Sequence, residues 1–284
     1  TVSNMVRRLA ARGFLNYEMY RGFNLTSEGR AVATRIKARH ETLTELFGLW
    51  GQLGIEAYEG ARPNAWIGEF FPTEICAIFD LNPIHAEGLI CLLVMEGMGS
   101  EIIDRAVDYT LSRDPCTFQL GTMAGIFDRI LPDPEVLLRA THSCVGREKQ
   151  FQSATAFYGK PYHYIDLPNN FIGATEDYVT RQMEELFRKL ERQFGPLATP
   201  SRIEEVFANS NRIRENCLKI NELRKERILP LDPTTMFFLI PMISGYLEPN
   251  QRLADLTEKI YRELSALKED PGKGGETRLF LMLA

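Results

Sequence analysis

Two of the five cysteines stand where a thiolate would be useful. Cys116 closes the turn Ser112-Arg113-Asp114-Pro115 and opens a predicted helix over 117–127. The free N–H groups and the dipole at a helix start stabilise negative charge. Cys144 comes directly after a predicted strand, Val136–Ala140, which breaks at Thr141-His142-Ser143. The C-terminal ends of strands are where ligands sit in open α/β sheets. Cys76, Cys91 and Cys217 instead fall in apolar helical or core sequence and read as small buried hydrophobes. Five dispersed cysteines in 284 residues do not make a disulfide scaffold. A reducing cytoplasm is the expected setting.

The elements that must position these residues alternate between strand and helix. Trp66–Phe71 reads as a buried strand, and Pro72-Thr73-Glu74 opens a helix that Asn82-Pro83 ends. Helix signals then continue to about Leu111. After Cys144 a helix is expected over 147–157, then a strand over 161–167 with Tyr162 and Tyr164 as core residues. Two long amphipathic helices follow, over 176–194 and 201–227, with a turn at Pro241–Gly245 and a helix over 251–267. The pattern predicts an α/β domain with a mainly parallel sheet flanked by helices and a long helical C-terminal part. The apolar segment Arg278–Leu283 predicts a further strand.

Residues 1–50 differ from this body. They hold eight Arg/Lys against four acids, so a surplus of +4 there leaves −9 on the rest of a chain whose net charge is −5. A basic head on an acidic body points to two pieces with different partners. The head predicts a helix over 1–11 stopped by Gly13, a hairpin over 14–25 turning near Arg21-Gly22, and a second helix from Thr26-Ser27 to about Trp50. That is the back half of a winged helix-turn-helix. Residues 51–64, with Gly51, Gly54, Gly60 and Pro63, are expected to be a linker, and 65–284 the α/β body.

The head resembles the recognition helix, wing and following helix of the diphtheria-toxin-repressor and manganese-transport-regulator family. Val2-Ser3, Met5-Val6, Leu9, Gly13, Leu15, Tyr20-Arg21-Gly22, Leu25-Thr26, Gly29 and Arg39-His40-Glu41 carry the likeness. It implies DNA contacts by Thr1, Ser3, Asn4 and Arg7, with Arg21 at the wing. His40 matches a metal-binding histidine of that family.

The body resembles the 2-hydroxyacyl-CoA dehydratase and benzoyl-CoA reductase family. The ordered set is Phe71-x-x-Glu74, Asn82-Pro83, Ser112-Arg113-Asp114-x-Cys116, Thr141-x-Ser143-Cys144, Pro161-x-x-Tyr164-Ile165-Asp166-Leu167-Pro168, Asn221-Glu222-Leu223-Arg224 and Pro241-x-Ile243-Ser244-Gly245. The resemblance implies the first of two α/β halves that hold a 4Fe–4S cluster between them, with Cys116 and Cys144 as two ligands. The third ligand is expected beyond Ala284. It also implies an anaerobic enzyme acting on an acyl-CoA, a second homologous subunit and an ATP-dependent activator protein. His142 and Arg147, which flank Cys144, would contact substrate or balance cluster charge.

Composition sets the outer bounds. An apolar fraction of 44% and a charged fraction of 25% are ordinary for a globular chain. The longest apolar stretch, near Leu89–Met95, is far too short for a bilayer, so no membrane is expected. Three readings follow: an enzyme component, a winged-helix metal-dependent transcriptional regulator, or joined fragments without independent activity.

Overall fold

The computed structural model describes residues 2–18, 22–109, 112–141, 144–168, 170, 174–223, 243 and 245–268. The chain divides inside its second helix into two compact units, Thr1–Gly48 and Leu49–Ala284.

In the first unit, helix α1 (Val2–Ala11) leads into an antiparallel hairpin, β1 (Leu15–Glu18) and β2 (Gly22–Leu25), and then into α2 (Ser27–Glu59). Leu15 pairs with Leu25 and Glu18 with Gly22. Thr26 is the joint of this unit. Its hydroxyl accepts from Gly29 N–H at 2.9 Å and donates to Gly13 O at 2.8 Å, so one side chain both caps α2 and holds the end of α1. Gly29 has no substitute here, because a Cβ would stand 1.9 Å from Phe14 O.

The expected linker over 51–64 is instead helix as far as Glu59. Leu46, Trp50, Leu53 and Ala57 are buried at three- and four-residue spacing, so tertiary packing overrides the two glycines. Asn82 Nδ2 donates to Leu53 O at 2.9 Å and Asn64 Nδ2 to Ala57 O at 3.0 Å, which ties this end of α2 to the sheet. Gly60, at φ +68°, is where the helix stops.

Four parallel strands form the sheet of the second unit: β3 (Asn64–Ile67), β4 (Asn82–Ile84), β5 (Val136–Ala140) and β6 (Tyr162–Ile165), in the order β4-β3-β5-β6. Between them run α3 (Thr73–Phe79), α4 (Ala86–Leu93), a π-helical turn (Val94–Met98), α5 (Gly99–Asp108), α6 (Thr117–Phe127) and α7 (Val145–Tyr158). Then come α8 (Thr175–Phe194), α9 (Pro200–Leu223) and α10 (Gln251–Lys268). All residues of β3 and β5 are buried, as a parallel strand covered on both faces requires. Ala65, Ile67, Val136, Leu138 and Ile165 pack on one side against α3, α8 and α9. Trp66, Ile84 and Leu137 pack on the other against α4, α6 and α7. The result is a three-layer α/β/α arrangement.

Three expectations change. The strand expected over 66–71 ends at Ile67, because Phe71 N–H turns back to Gly68 O at 3.1 Å and Phe70 takes φ 61°. Asn82-Pro83 does not merely end a helix; it begins β4. Tyr164, expected in the core, is 57% exposed, since β6 is an edge strand and one of its faces is open. Arg278–Leu283 and most of Pro241–Gly245 lie outside the described residues.

His85 caps α4: its Nδ1 accepts from Gly88 N–H at 3.1 Å. Burial, and then the nearby Arg147 cation, push its pKa from 6.5 down to about 3. The folded chain therefore keeps the ring neutral where the unfolded chain takes up a proton, so this residue makes stability fall as pH drops from about 6.5 towards 3. Replacing His85 by Asn, a good capping residue, is expected to shrink the fall in urea midpoint between about pH 7.5 and pH 5; an undiminished fall contradicts the assignment. Leu137→Ala and Leu138→Ala remove fully buried side chains from opposite faces of β5. Each should cost about 2–5 kcal/mol in denaturant unfolding.

Candidate functional site

The chain passes from β3 out to β4 and then back across to β5 and β6. Its direction of travel thus reverses between two neighbouring strands, β3 and β5, and their C-terminal loops separate there. Such a switch point is the crevice where open parallel sheets bind ligands. The loops are Gly68–Pro72 after β3 and Thr141–Cys144 after β5.

Cys144 ends the second loop and is the N-cap of α7, with φ −56° and ψ 128°. Cys116 is the N-cap of α6, with φ −52° and ψ 135°. Both are exposed, and neither sulfur is used to cap its own helix. α6 and α7 pack together, and one residue joins their starts. Gln119 N–H donates to Cys116 O at 2.9 Å, and the Gln119 side-chain amide donates to Cys144 Sγ at 3.2 Å. Gly146 makes room for that amide, since a Cβ there would lie 1.8 Å from Gln119 Nε2. Two thiols remote in sequence are therefore brought to one end of a helix pair.

Beneath Cys144 lies a buried cation. Arg139, in the middle layer and 2% exposed, donates to Cys144 O at 3.0 Å and is ion-paired with Glu148. Tyr162 O–H donates to the same Glu148 carboxylate at 2.9 Å. Burial, then this carboxylate, holds the Tyr162 hydroxyl above its ordinary pKa, so it stays a donor. Gly68 is required opposite, because a Cβ would meet Arg139 Cγ at 2.8 Å. On the far side, Thr141 Oγ1 donates to Asp166 Oδ1 at 3.1 Å and accepts from Leu167 N–H at 2.8 Å, fastening the ends of β5 and β6.

Arg147, expected to contact substrate or balance cluster charge, is ion-paired within the fold. It lies on the buried stripe of α7 with Gln150, Phe151 and Ala154. Its guanidinium binds Glu69 at 2.6 Å and grips both oxygens of Glu87. Burial alone would lower its pKa; the Glu87 and Glu69 pairs more than offset that and raise it. His142 and Ser143 lie outside the described residues, as do Thr1, Arg21 and the side chains of Ser3, Asn4 and His40. Arg7 is exposed on α1.

The other three cysteines are as expected from their apolar surroundings. Cys76 and Cys217 are buried, Cys91 is partly so, and burial pushes all three thiols up, to about 11 for Cys91 and Cys217. Among the described residues no set of three His, Cys, Asp or Glu side chains gathers to hold a metal ion. Nor is any described helix long and apolar enough to cross a membrane. Gln119, Arg139, Glu148, Glu69 and Glu87 were not foreseen from sequence. A buried Arg in an otherwise apolar strand, Val136-Leu137-Leu138-Arg139-Ala140, was the one readable signal.

The family described as "2-hydroxyglutaryl-CoA dehydratase, D-component" matches residues 69–282. The chain is 28% identical over 160 residues to the (R)-2-hydroxyisocaproyl-CoA dehydratase alpha subunit of Clostridioides difficile, covering 53% of this chain and 39% of that one. Over 51 residues, 18% of this chain, it is 43% identical to the HTH-type transcriptional regulator MntR of Oceanobacillus iheyensis, covering 35% of it. It is 39% identical over 51 residues to MntR of Lysinibacillus sphaericus, covering 37% of it. The chain thus spans well under half the length of these curated relatives. With three quarters of its residues inside one family match, on a parallel sheet whose switch point carries Cys144, the chain belongs to the 2-hydroxyglutaryl-CoA dehydratase D-component family.

Proposed function

We propose that the body of this chain is an iron–sulfur component of a 2-hydroxyacyl-CoA dehydratase or benzoyl-CoA reductase-like enzyme, with Cys116 and Cys144 holding a 4Fe–4S cluster. The observation that carries this reading is the joining of the two exposed cysteines at the starts of α6 and α7, through the 3.2 Å bond from Gln119 to Cys144 Sγ.

The donor set suits the group in part. Thiolates are the ligands such clusters take, and these two are accessible, whereas Cys76 and Cys217 are buried. Two sulfurs supply two corners, and the remaining ligands must come from outside the described residues. Phe118 and Val145 expose apolar surface beside the sulfurs, 45% and 77% respectively, which suits coverage by further protein. A second homologous subunit and an ATP-dependent activator are the partners this reading requires, and an acyl-CoA is its substrate.

The need for such a cofactor follows from the substrate. The hydrogen to be removed from a 2-hydroxyacyl-CoA is not acidic, and an aromatic ring resists proton chemistry alone. When bound at Cys116 and Cys144, the group would pass one low-potential electron, received from the ATP-dependent activator, to the thioester carbonyl of the acyl-CoA, giving the ketyl radical this reading requires. The chain's own residues position it. The α6 and α7 N-termini oppose its negative charge, the Gln119 amide donates to a ligand sulfur, and Arg139 fixes the backbone of Cys144. Hydrogen bonds to ligand sulfurs are one of the levers that set cluster potential.

Anaerobic reconstitution of the full-length protein tests this. Iron and acid-labile sulfide should be taken up, and Cys116→Ser or Cys144→Ser should each remove more than half of both, while Cys217→Ser leaves them unchanged. Equal content in all four proteins would end the proposal.

A second reading concerns the head. Its helix–hairpin–helix order and the 51-residue likeness to manganese regulators favour DNA binding through Thr1, Ser3, Asn4, Arg7 and Arg21. Duplex binding should then weaken steeply with salt, and Arg7→Ala should lower the salt slope by about one. A flat titration at low salt excludes it.

A further inference from the structure

Behind the cysteines, α4, α6 and α7 line a small cavity of about 10 Å³ whose walls include His85, Glu87, Thr122, Arg147, Gln150 and Phe151. Three of these lining residues carry buried polar atoms that have no hydrogen-bond partner: His85 Nε2, Thr122 Oγ1 and Gln150 Nε2. All three residues are more than nine-tenths buried, at 4%, 3% and 5% exposure. Each comes from a different element. His85 caps α4, Thr122 is on α6 and Gln150 is on α7. Thr122 and Gln150 each stand six residues after the cysteine that opens their helix.

Chemistry narrows what can sit there. His85 Nδ1 already accepts the Gly88 N–H, so the proton of the neutral ring is on Nε2, which must donate. The Gln150 amide nitrogen also donates, and the Thr122 hydroxyl does either. Two obligatory donors repel a cation. An anion is opposed by the neighbouring carboxylates, because Glu69 and Glu87 outnumber the one Arg147 between them. A space of about 10 Å³ matches a single water centre, and about three partners is the usual number for a buried water.

We propose that this cavity is a binding site for one ordered water, which accepts from His85 Nε2–H and Gln150 Nε2–H and donates to Thr122 Oγ1. The water joins the cap of α4 to both cysteine-bearing helices and fixes the spacing between α6 and α7. It does so whatever the two cysteines hold.

The sign of one substitution decides the matter. Val matches Thr in shape but lacks the hydroxyl. If the water is present, Thr122→Val in the full chain deprives it of a partner, and the thermal midpoint falls. If the cavity is dry, the same change removes a buried unsatisfied hydroxyl, and the midpoint stays level or rises. Gln150→Leu should also lower the midpoint, and the double variant should lose less than the two single losses combined, since both act on one water. A level or raised midpoint for Thr122→Val overturns the proposal, as do fully additive losses. Should a variant fail to fold, a crystal structure of the unchanged chain decides alone. A solvent peak within hydrogen-bond distance of all three atoms supports the site, and clear density elsewhere with none here overturns it.

Discussion

A guanidinium cannot lie unpaired in a protein interior, because removing a full charge from water costs more than packing returns. Arg139 makes this constraint the centre of the fold. It sits on β5, the strand between β3 and β6, in a run that is otherwise apolar. Its pairing therefore dictates its neighbours. Glu148 must be on the inward part of α7, Tyr162 must reach that carboxylate from β6, Gly68 must lack a side chain, and the Cys144 carbonyl must turn inward to accept. One buried cation thus sets the register between the central strand, its edge neighbour and the helix that Cys144 opens.

Arg147 repeats the device one layer over. Where Arg139 ties α7 to the sheet, Arg147 ties it to α4 and to the loop after β3 through Glu87 and Glu69. Glu69, just after β3, and Cys144, four residues after β5, are each held by a buried arginine. Loops are ordinarily the mobile part of such a sheet; here these two positions have ionic anchors. The cost of breaking such an anchor is high, because the orphaned partner remains buried. The placement of Cys144 is thus a property of the interior, though the residue itself is exposed.

How far the sequence disclosed this depends on which force was in charge. α6 over Thr117–Phe127, β5 over Val136–Ala140 and α8 to Phe194 follow local rules: a turn with Pro115 before α6, a mostly apolar run in β5, and an amphipathic period in α8 that Gly195-Pro196 ends. They were legible. α2 was not, since Gly51 and Gly54 argue locally for a break, and the burial of Trp50, Leu53 and Ala57 keeps the helix going. Tyr164 misled because alternation along β6 looks the same for a central and an edge strand; strand order decides, and order is not a local property. For the site, Cys116 and Cys144 could be singled out from their positions at helix and strand ends. Gln119 could not, for nothing in its neighbourhood reports that its amide reaches a sulfur 25 residues away.

Arg147 follows Cys144 by three residues, and the sequence alone invites a shared role. The structure places its guanidinium on the buried side of α7, paired to Glu69 and Glu87. The flank of α7 at Arg147, Gln150, Phe151 and Ala154 is the one that packs inward. Gln119 has the same offset from Cys116, yet it points across to Cys144, because α6 and α7 lie side by side and Gly146 leaves a gap of the right size. Equal offsets on neighbouring helices produce opposite fates. The difference lies in what each helix faces, and for α7 that is fixed by the sheet and its buried Arg139 rather than by the cysteines.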